Sequence, residues 1–172
     1  VAGHEASGVA VVDHFDAPGG WRDIGAALEE VRHVLDEGFA LAATEDGVLQ
    51  GWIGGLPEYN GRVWELHPMV IRRKKRMCGI GRALVAAFEA EVFHRGAHTI
   101  TLGTDDESGM TSLSGVDLYD DLPGRLANLQ DLGRKHPFLF YKKLGYVVTG
   151  ALPDANGPGR PDIFMSKRVP KP

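Results

Sequence analysis

The feature that most constrains how this chain folds is a change in hydrophobic period on the two sides of a short basic segment. Residues 62–71 are rich in valine, leucine, isoleucine and tryptophan, a composition typical of a strand. In residues 79–96 apolar side chains recur every three or four positions, which predicts an amphipathic helix. A strand, a loop and a helix in this order predict a sheet with helices packed on its faces.

The rest of the chain extends this pattern. In chain order, the predicted elements are a strand at 8–14, a turn at 16–20, a helix at 21–37, strands at 39–44, 48–56 and 62–71, a helix at 79–96, a strand at 98–103, a helix at 136–144, and strands at 146–150 and 162–168. We therefore expect one domain over residues 1–172, of the α/β (α+β) class, with a mixed central sheet flanked by helices.

Composition excludes several classes of protein. The chain is 43% hydrophobic and 24% charged, as in ordinary globular domains. No apolar run approaches the roughly 20 residues that cross a bilayer, and the N-terminus does not resemble a secretory signal. The net charge of −4 argues against binding nucleic acid. A single cysteine, Cys78, rules out an internal disulfide, so we expect a cytoplasmic protein. We also expect no metal and no membrane partner.

The segment between the strand and the helix predicts an anion site. Gly79 and Gly81 allow the backbone to turn its N–H groups towards a ligand, and the helix start adds a positive dipole end. Five basic residues at 72–76 add positive charge nearby. A pyrophosphate suits this arrangement. The segment lacks the third glycine of a dinucleotide fingerprint and the Gly-Lys-Ser/Thr of a Walker loop.

Two motifs resemble those of the GNAT superfamily of N-acetyltransferases. Arg76-x-x-Gly79-x-Gly81-x-Ala83 is similar to the acetyl-CoA motif of that family, and it lies on the expected strand, loop and helix. The segment 140–146, with sequence FYKKLGY, resembles the signature of the helix beside the pantetheine arm. The resemblance implies a single-domain GNAT fold, acetyl-CoA as cofactor, and transfer of an acetyl group to a primary amine.

The resemblance also assigns residues to the cofactor. The main chain of the glycine segment would bind the pyrophosphate, the end of the preceding strand would bind the pantetheine and the acetyl oxygen, and Tyr141 would donate a proton to the coenzyme A sulfur. The cofactor residues implied in this way are Met69, Val70, Ile71, Arg76, Met77, Cys78, Gly79, Ile80, Gly81, Arg82, Ala83 and Tyr141.

Glu65 and His67 are the candidates for the general base. They are two positions apart on the predicted strand before the glycine segment, so they share a face. GNAT enzymes often carry a base at one of these positions. Either residue could take the amine proton, directly or through water, since an imidazole has a suitable unperturbed pKa of about 6.5. The sequence does not choose between them.

Residues 104–135 depart from the simplest family pattern, which has only a short loop here. Carboxylates are grouped in this insert and in the loop before the last strand, and they predict an acidic mouth for a cationic acceptor. The acceptor-binding candidates are Asp105, Asp106, Asp117, Asp154 and Asp162. These same segments resemble a bacterial GNAT group that includes aminoglycoside 6'-N-acetyltransferases, which makes an aminoglycoside the leading acceptor.

Three functions remain open on the sequence. The first is acetylation of a cationic small-molecule amine, the second is acetylation of protein or peptide amines, and the third is a regulatory module that binds acetyl-CoA without transfer. Retention of Glu65, His67 and Tyr141 favours an enzyme. A homodimer is a further expectation for the assembly.

Overall fold

The computed structural model describes residues 24–170. The predicted strand at 8–14, the turn at 16–20 and the start of the first helix at 21–23 lie outside the described residues. The described chain divides into two compact units, one comprising residues 24–100 with 168–170 and the other residues 101–167.

The helices and strands follow the predicted order. They are α1 (Ile24–Glu37), β1 (Phe39–Glu45), β2 (Val48–Glu58), β3 (Val63–Ile71), α2 (Ile80–His94), β4 (Thr99–Asp105), α3 (Leu122–Ala127), α4 (Phe138–Lys143), β5 (Val147–Leu152) and β6 (Asp162–Arg168). Short 3-10 turns at Tyr59–Gly61 and Arg73–Lys75 flank β3. Of these helices, α3 was not predicted.

The strands form one mixed sheet in the order β1-β2-β3-β4-β6-β5. β1 pairs with β2, β2 with β3, and β5 with β6, each time antiparallel. The connection from β3 to β4 runs through α2, which is the kind of crossover that neighbouring parallel strands require. The predicted fold class is confirmed.

The first unit has apolar packing on both faces of its strands. Val34 of α1 packs with Trp52 and Val70 on one face. On the other face the ring of Phe88 in α2 stacks on Phe39, with centroids 5.3 Å apart. The two helical stripes predicted from the sequence therefore bury against opposite faces of the same strands.

Two adjacent glycines of β2 allow this close packing. A Cβ at Gly54 would lie 2.7 Å from Cγ1 of Val34, and a Cβ at Gly55 would lie 2.6 Å from Cε2 of Phe88. Neighbouring residues of a strand point to opposite faces. Each glycine thus makes room for one of the two helices.

The second unit buries the insert at 104–135. Leu113 and Leu118 of the insert pack with Ile163 of β6 in one core cluster, and Leu113 is fully buried. Asp121 caps α3 by accepting the N–H of Gly124 at 3.0 Å. The insert is therefore a folded part of the unit. Its leucines alternate irregularly with polar residues, so the sequence carried no helical or strand period to predict it.

Among residues 24–170, no helix combines the length and the apolar character that crossing a lipid bilayer requires.

Candidate functional site

Glu65 and His67 lie on one face of β3, as the period of two predicted. Trp64 and Leu66, which alternate with them, are buried, whereas Glu65 is half-buried and His67 is exposed. Alternation thus turns the apolar residues into the core and leaves the two candidate bases on the other side of the strand.

β3 carries a bulge at the position of His67. The register with β2 steps there, so that His67 and Pro68 together face Gly54. A Cβ at Gly54 would collide with the carbonyl oxygen of His67. Glycine therefore lets β2 approach the bulge, and bulges redirect side chains and backbone groups at functional sites.

Two further carboxylates lie near these residues, and sequence reasoning missed both. Glu30 of α1 places Oε1 3.3 Å from Nε2 of His67, and that oxygen is buried. Glu58 ends β2, and the charges of Glu58 and Glu30 both act on Glu65. Glu30 directly precedes the buried Val31 of α1, so a charged residue at the border of the apolar stripe was the available signal.

Burial raises the pKa of the Glu65 carboxyl above its usual value. The negative charges of Glu58 and Glu30 act in the same direction, and the nearby His67 opposes them. A carboxylate whose pKa moves towards neutrality accepts a proton from an amine more readily than an ordinary one does.

The glycine segment starts α2 as predicted. Gly79 is the N-cap residue with a φ of 89°, in the left-handed region that glycine adopts without strain. The N–H of Ala83 begins the helical ladder by donating to the Gly79 carbonyl at 3.1 Å. No side chain caps this helix start. The N–H groups of the first turn, where Gly81 is buried, can therefore bind an anion.

The basic segment beside this helix start is partly engaged. Arg72 donates from Nε to the carbonyl oxygen of Leu49, and Lys75 forms an ion pair with Glu45. Both contacts reach the β1–β2 hairpin, so these two side chains are held beside it. The exposed Cys78 places Sγ 3.5 Å from the Arg76 carbonyl oxygen.

Tyr141 lies on α4 and is 7% exposed. Its ring packs edge-on against Phe140 and Tyr146, with centroids 5.1 and 5.6 Å away. Burial raises the pKa of the Tyr141 hydroxyl above its usual value. The hydroxyl therefore keeps its proton at neutral pH and can donate a hydrogen bond.

Asp106 does not lie on the surface as the acidic-mouth hypothesis required. It is fully buried, and its carboxylate accepts the N–H of Met110 at 2.6 Å, the N–H of Thr111 at 2.8 Å and the hydroxyl of Ser114 at 2.6 Å. Burial alone would raise the pKa of Asp106, but these hydrogen bonds outweigh it and lower the pKa. The residue stabilises the start of the insert and is not available to an acceptor.

The insert and the loop before β6 lie together in the second unit. The Asn156 side chain donates to Oδ1 of Asp105 at 2.6 Å. The N–H of Gly115 donates to the carbonyl of Gly159 at 2.9 Å. The two acid-bearing segments that the sequence grouped only by composition are therefore in contact.

The remaining predicted acceptor acids differ in exposure. Asp117 and Asp154 are exposed, and each accepts a backbone N–H through Oδ1 from Tyr119 and Gly159 respectively, at 2.9 and 2.6 Å. Asp162 begins β6 and is half-buried. Asp105, Asp117 and Asp154 thus present exposed carboxylates that accept hydrogen bonds.

Within residues 24–170 no group of three or more His, Cys, Asp or Glu side chains is arranged to hold a metal ion.

Comparison with known proteins identifies the family. The model of the Acetyltransferase (GNAT) family matches residues 10–114. Among curated proteins no sequence match was found.

Three solved structures resemble the chain over almost its whole length. An aminoglycoside 6'-N-acetyltransferase complexed with coenzyme A is 40% identical, covers 98% of this chain and 92% of its own, and has a TM-score of 0.88. The aminoglycoside 6'-N-acetyltransferase from Enterococcus faecium is 39% identical over 100% of this chain and 94% of its own, with a TM-score of 0.88. An aminoglycoside 6'-acetyltransferase type Ii is 35% identical, covers 99% and 94%, and has a TM-score of 0.74.

The family match includes the glycine segment at 76–83, and the alignment with the Enterococcus faecium enzyme covers the whole chain. The chain therefore belongs to the GNAT family of acetyltransferases, and it is an N-acetyltransferase that uses acetyl-CoA as its acetyl donor.

Proposed function

We propose that this enzyme acetylates a primary amine of a cationic small molecule, with an aminoglycoside as the leading acceptor. The observation that carries this proposal is the contact between the insert and the loop before β6, which brings acid-bearing segments together. The identities of 35% to 40% with aminoglycoside acetyltransferases support it.

Acetyl-CoA would bind through backbone groups of the first unit. The pyrophosphate would accept hydrogen bonds from N–H groups in the first turn of α2. These groups come before the first i to i−4 hydrogen bond of the helix, so they have no acceptor within it. The exposed Arg76, whose Nε donates to the carbonyl oxygen of Ile71, would add positive charge. Main-chain groups of Met69, Val70 and Ile71 at the end of β3 would hold the pantetheine and the acetyl oxygen.

Replacing Gly81 with valine should weaken coenzyme A binding. The residue is buried in the first turn of α2, so a branched side chain has to displace either the helix start or the ligand. We expect at least a tenfold increase in the Kd for coenzyme A, measured by calorimetry. Ala86→Val, which introduces the same branched side chain at an exposed position later in α2, is the matched control. An unchanged coenzyme A affinity in a folded Gly81→Val protein would show that the pyrophosphate does not bind at this helix start.

The chemistry is a direct transfer. The acceptor nitrogen attacks the thioester carbonyl carbon, the C–S bond breaks, and the amine proton passes to a base. We infer that Glu65 is this base, because its burial and its acidic neighbours raise its pKa, and His67 is the alternative. Tyr141 would donate to the leaving sulfur and so offset the negative charge that develops there.

The exposed carboxylates of the second unit would bind the ammonium groups of the acceptor. Asp105, Asp117 and Asp154 are the residues we assign to this role, with the half-buried Asp162 as a fourth. An aminoglycoside carries several ammonium groups, so distributed carboxylates suit it better than a single strong pair does.

The acceptor test is a thiol-release assay with acetyl-CoA and a panel of amines. Kanamycin and tobramycin should support release, and their KM should rise with salt, because ionic screening acts over about 8 Å at physiological strength. The KM of a neutral amine should not change. Turnover of a peptide amine without any aminoglycoside or polyamine turnover would replace this proposal with the peptide alternative.

Charge-neutralising variants locate the acceptor site. Asp117→Asn and Asp154→Asn should each raise the acceptor KM by about fivefold or less, since exposed ion pairs contribute about 1 kcal/mol at most. Coenzyme A affinity should not change. Asp46→Asn makes the same charge change in the β1–β2 turn and is the control. If all three variants raise the acceptor KM equally, the effect comes from the net charge of the protein and not from the acceptor site.

A further inference from the structure

His136 connects several segments of the second unit and is 1% exposed. Its Nε2 lies 3.1 Å from the carbonyl oxygen of Asp105, at the end of β4. Its Nδ1 accepts the N–H of Phe138, the first residue of α4, at 3.2 Å. Its own backbone N–H donates to Oδ1 of Asp131 in the insert at 2.8 Å.

These partners fix the tautomer of the ring. A backbone N–H can only donate, so Nδ1 of His136 must present its lone pair to Phe138. A carbonyl oxygen can only accept, so Nε2 must carry the hydrogen that is donated to Asp105. Protonation of Nδ1 would remove the acceptor for the Phe138 N–H, and only the neutral ring makes both bonds.

His136 also completes the first turn of α4. Its carbonyl oxygen accepts the N–H of Leu139 at 3.1 Å, and the carbonyl of Pro137 accepts the N–H groups of Phe140 and Tyr141 at 2.9 and 3.4 Å. The first-turn N–H groups of a helix otherwise lack intrahelical partners. The turn that ends at Tyr141 is thus held through both the ring and the backbone of His136.

We propose that His136 is a positioning residue which, as the neutral tautomer with hydrogen on Nε2, fixes the start of α4 to the end of β4 and so places the Tyr141 hydroxyl. This inference rests on the role proposed above for Tyr141. His136 does not touch the reacting atoms. Its effect is on the geometry of the helix that carries the proton donor, where a displacement of about 1 Å can cost 10²-fold in rate.

The charges that face His136 come from β4 and from the insert. Burial lowers the pKa of His136, while the Asp105 carbonyl and the carboxylates of Asp106, Asp131 and Asp105 oppose it. The folded protein therefore binds this proton less readily than the unfolded chain, whose value is 6.5. The resulting stability is fully present above that pH and is lost as the pH falls below it.

Long-range ¹H–¹⁵N NMR on the full chain tests the tautomer. We expect a ring that is neutral at pH 7, with a protonated Nε2 and an unprotonated Nδ1. A ring with hydrogen on Nδ1, or one protonated at neutral pH, overturns the proposal.

Two variants separate positioning from mere packing. His136→Asn keeps an acceptor for the Phe138 N–H, as in an Asx-turn, but does not titrate and cannot reach Asp105. His136→Phe keeps an aromatic ring and loses both bonds. At saturating substrates we expect kcat to fall about 10²-fold for the phenylalanine variant and less than about tenfold for the asparagine variant. Coenzyme A affinity should stay within threefold in both. A folded His136→Phe protein with an unchanged kcat overturns the proposal.

The double variant His136→Phe/Tyr141→Phe distinguishes this inference from the proposed function. If His136 acts through Tyr141, the double variant loses little more activity than Tyr141→Phe alone, because effects on one unit are not additive. If the kcat losses of the two single variants multiply in the double variant, His136 acts independently of Tyr141, which would overturn the inference. If Tyr141→Phe alone has no effect, the proposed role of Tyr141 is wrong, and the inference that His136 positions it is wrong as well. The tautomer of His136 is tested independently of this result by NMR.

Discussion

Replacing Tyr141 with phenylalanine is expected to lower kcat by about 10²–10⁴-fold, the usual contribution of a general acid or base. The ring contacts with Phe140 and Tyr146 involve carbon atoms, so the substitution keeps the packing of α4. The KM for acetyl-CoA should change little, because the hydroxyl acts on charge that develops only as the C–S bond breaks. Steady-state kinetics at saturating acetyl-CoA and acceptor measure this.

The pKa of Tyr141 adds a second expectation for the wild-type enzyme. Burial moves the pKa above its usual value of 10.0, so the hydroxyl should not ionise in the range where enzymes are assayed. Loss of its proton therefore should not limit activity at mildly alkaline pH. The control is Phe140→Leu, which alters a neighbouring ring without removing a hydroxyl. A loss below about threefold in Tyr141→Phe, with chemistry shown to limit the rate, would mean that water protonates the sulfur.

Glu65→Gln is expected to have an effect of similar size on kcat, about 10²–10⁴-fold. The amide keeps the shape of the side chain but cannot accept the amine proton. In the wild-type enzyme activity should fall as the pH drops through the raised pKa of Glu65, because the base must be ionised to act. The residual activity of the Glu65→Gln enzyme should not show this decrease at low pH.

His67→Asn is the matched comparison, two residues away on the same face of β3. We expect a smaller loss from it, since His67 is exposed and acts on Glu65 through its charge. The reverse result, a large loss in His67→Asn and a small one in Glu65→Gln, would assign the base to the imidazole.

The sequence predicted those parts of the structure in which one buried face makes apolar residues recur at regular spacing along the chain. Alternation along β3 placed Glu65 and His67 on one face opposite Trp64 and Leu66, and the stripe on residues 79–96 became α2. Gly79 before that helix and Gly81 in its first turn indicated an anion site, because glycine lets backbone N–H groups come close to a ligand. Motif spacing then led to the family.

The remainder depended on contacts between segments distant in sequence. Asp106 looked like its neighbour Asp105, yet one carboxylate folds inward onto its own loop and the other stays exposed. Glu30 reaches His67 across the packing of α1 on the strands. His136 looked like an ordinary residue at a helix start, and only its two ring contacts reveal the tautomer. No local period encodes such pairings.

The central claim is tested most directly by the product formed from acetyl-CoA and an aminoglycoside such as kanamycin. Mass spectrometry and NMR of the reaction should reveal an antibiotic that carries one acetyl group on its 6'-amine, together with an equal amount of free coenzyme A. With Tyr141→Phe the product should form at least about 10²-fold more slowly. Unmodified kanamycin beside intact acetyl-CoA, under conditions where another class of amine is acetylated, would contradict the proposed acceptor.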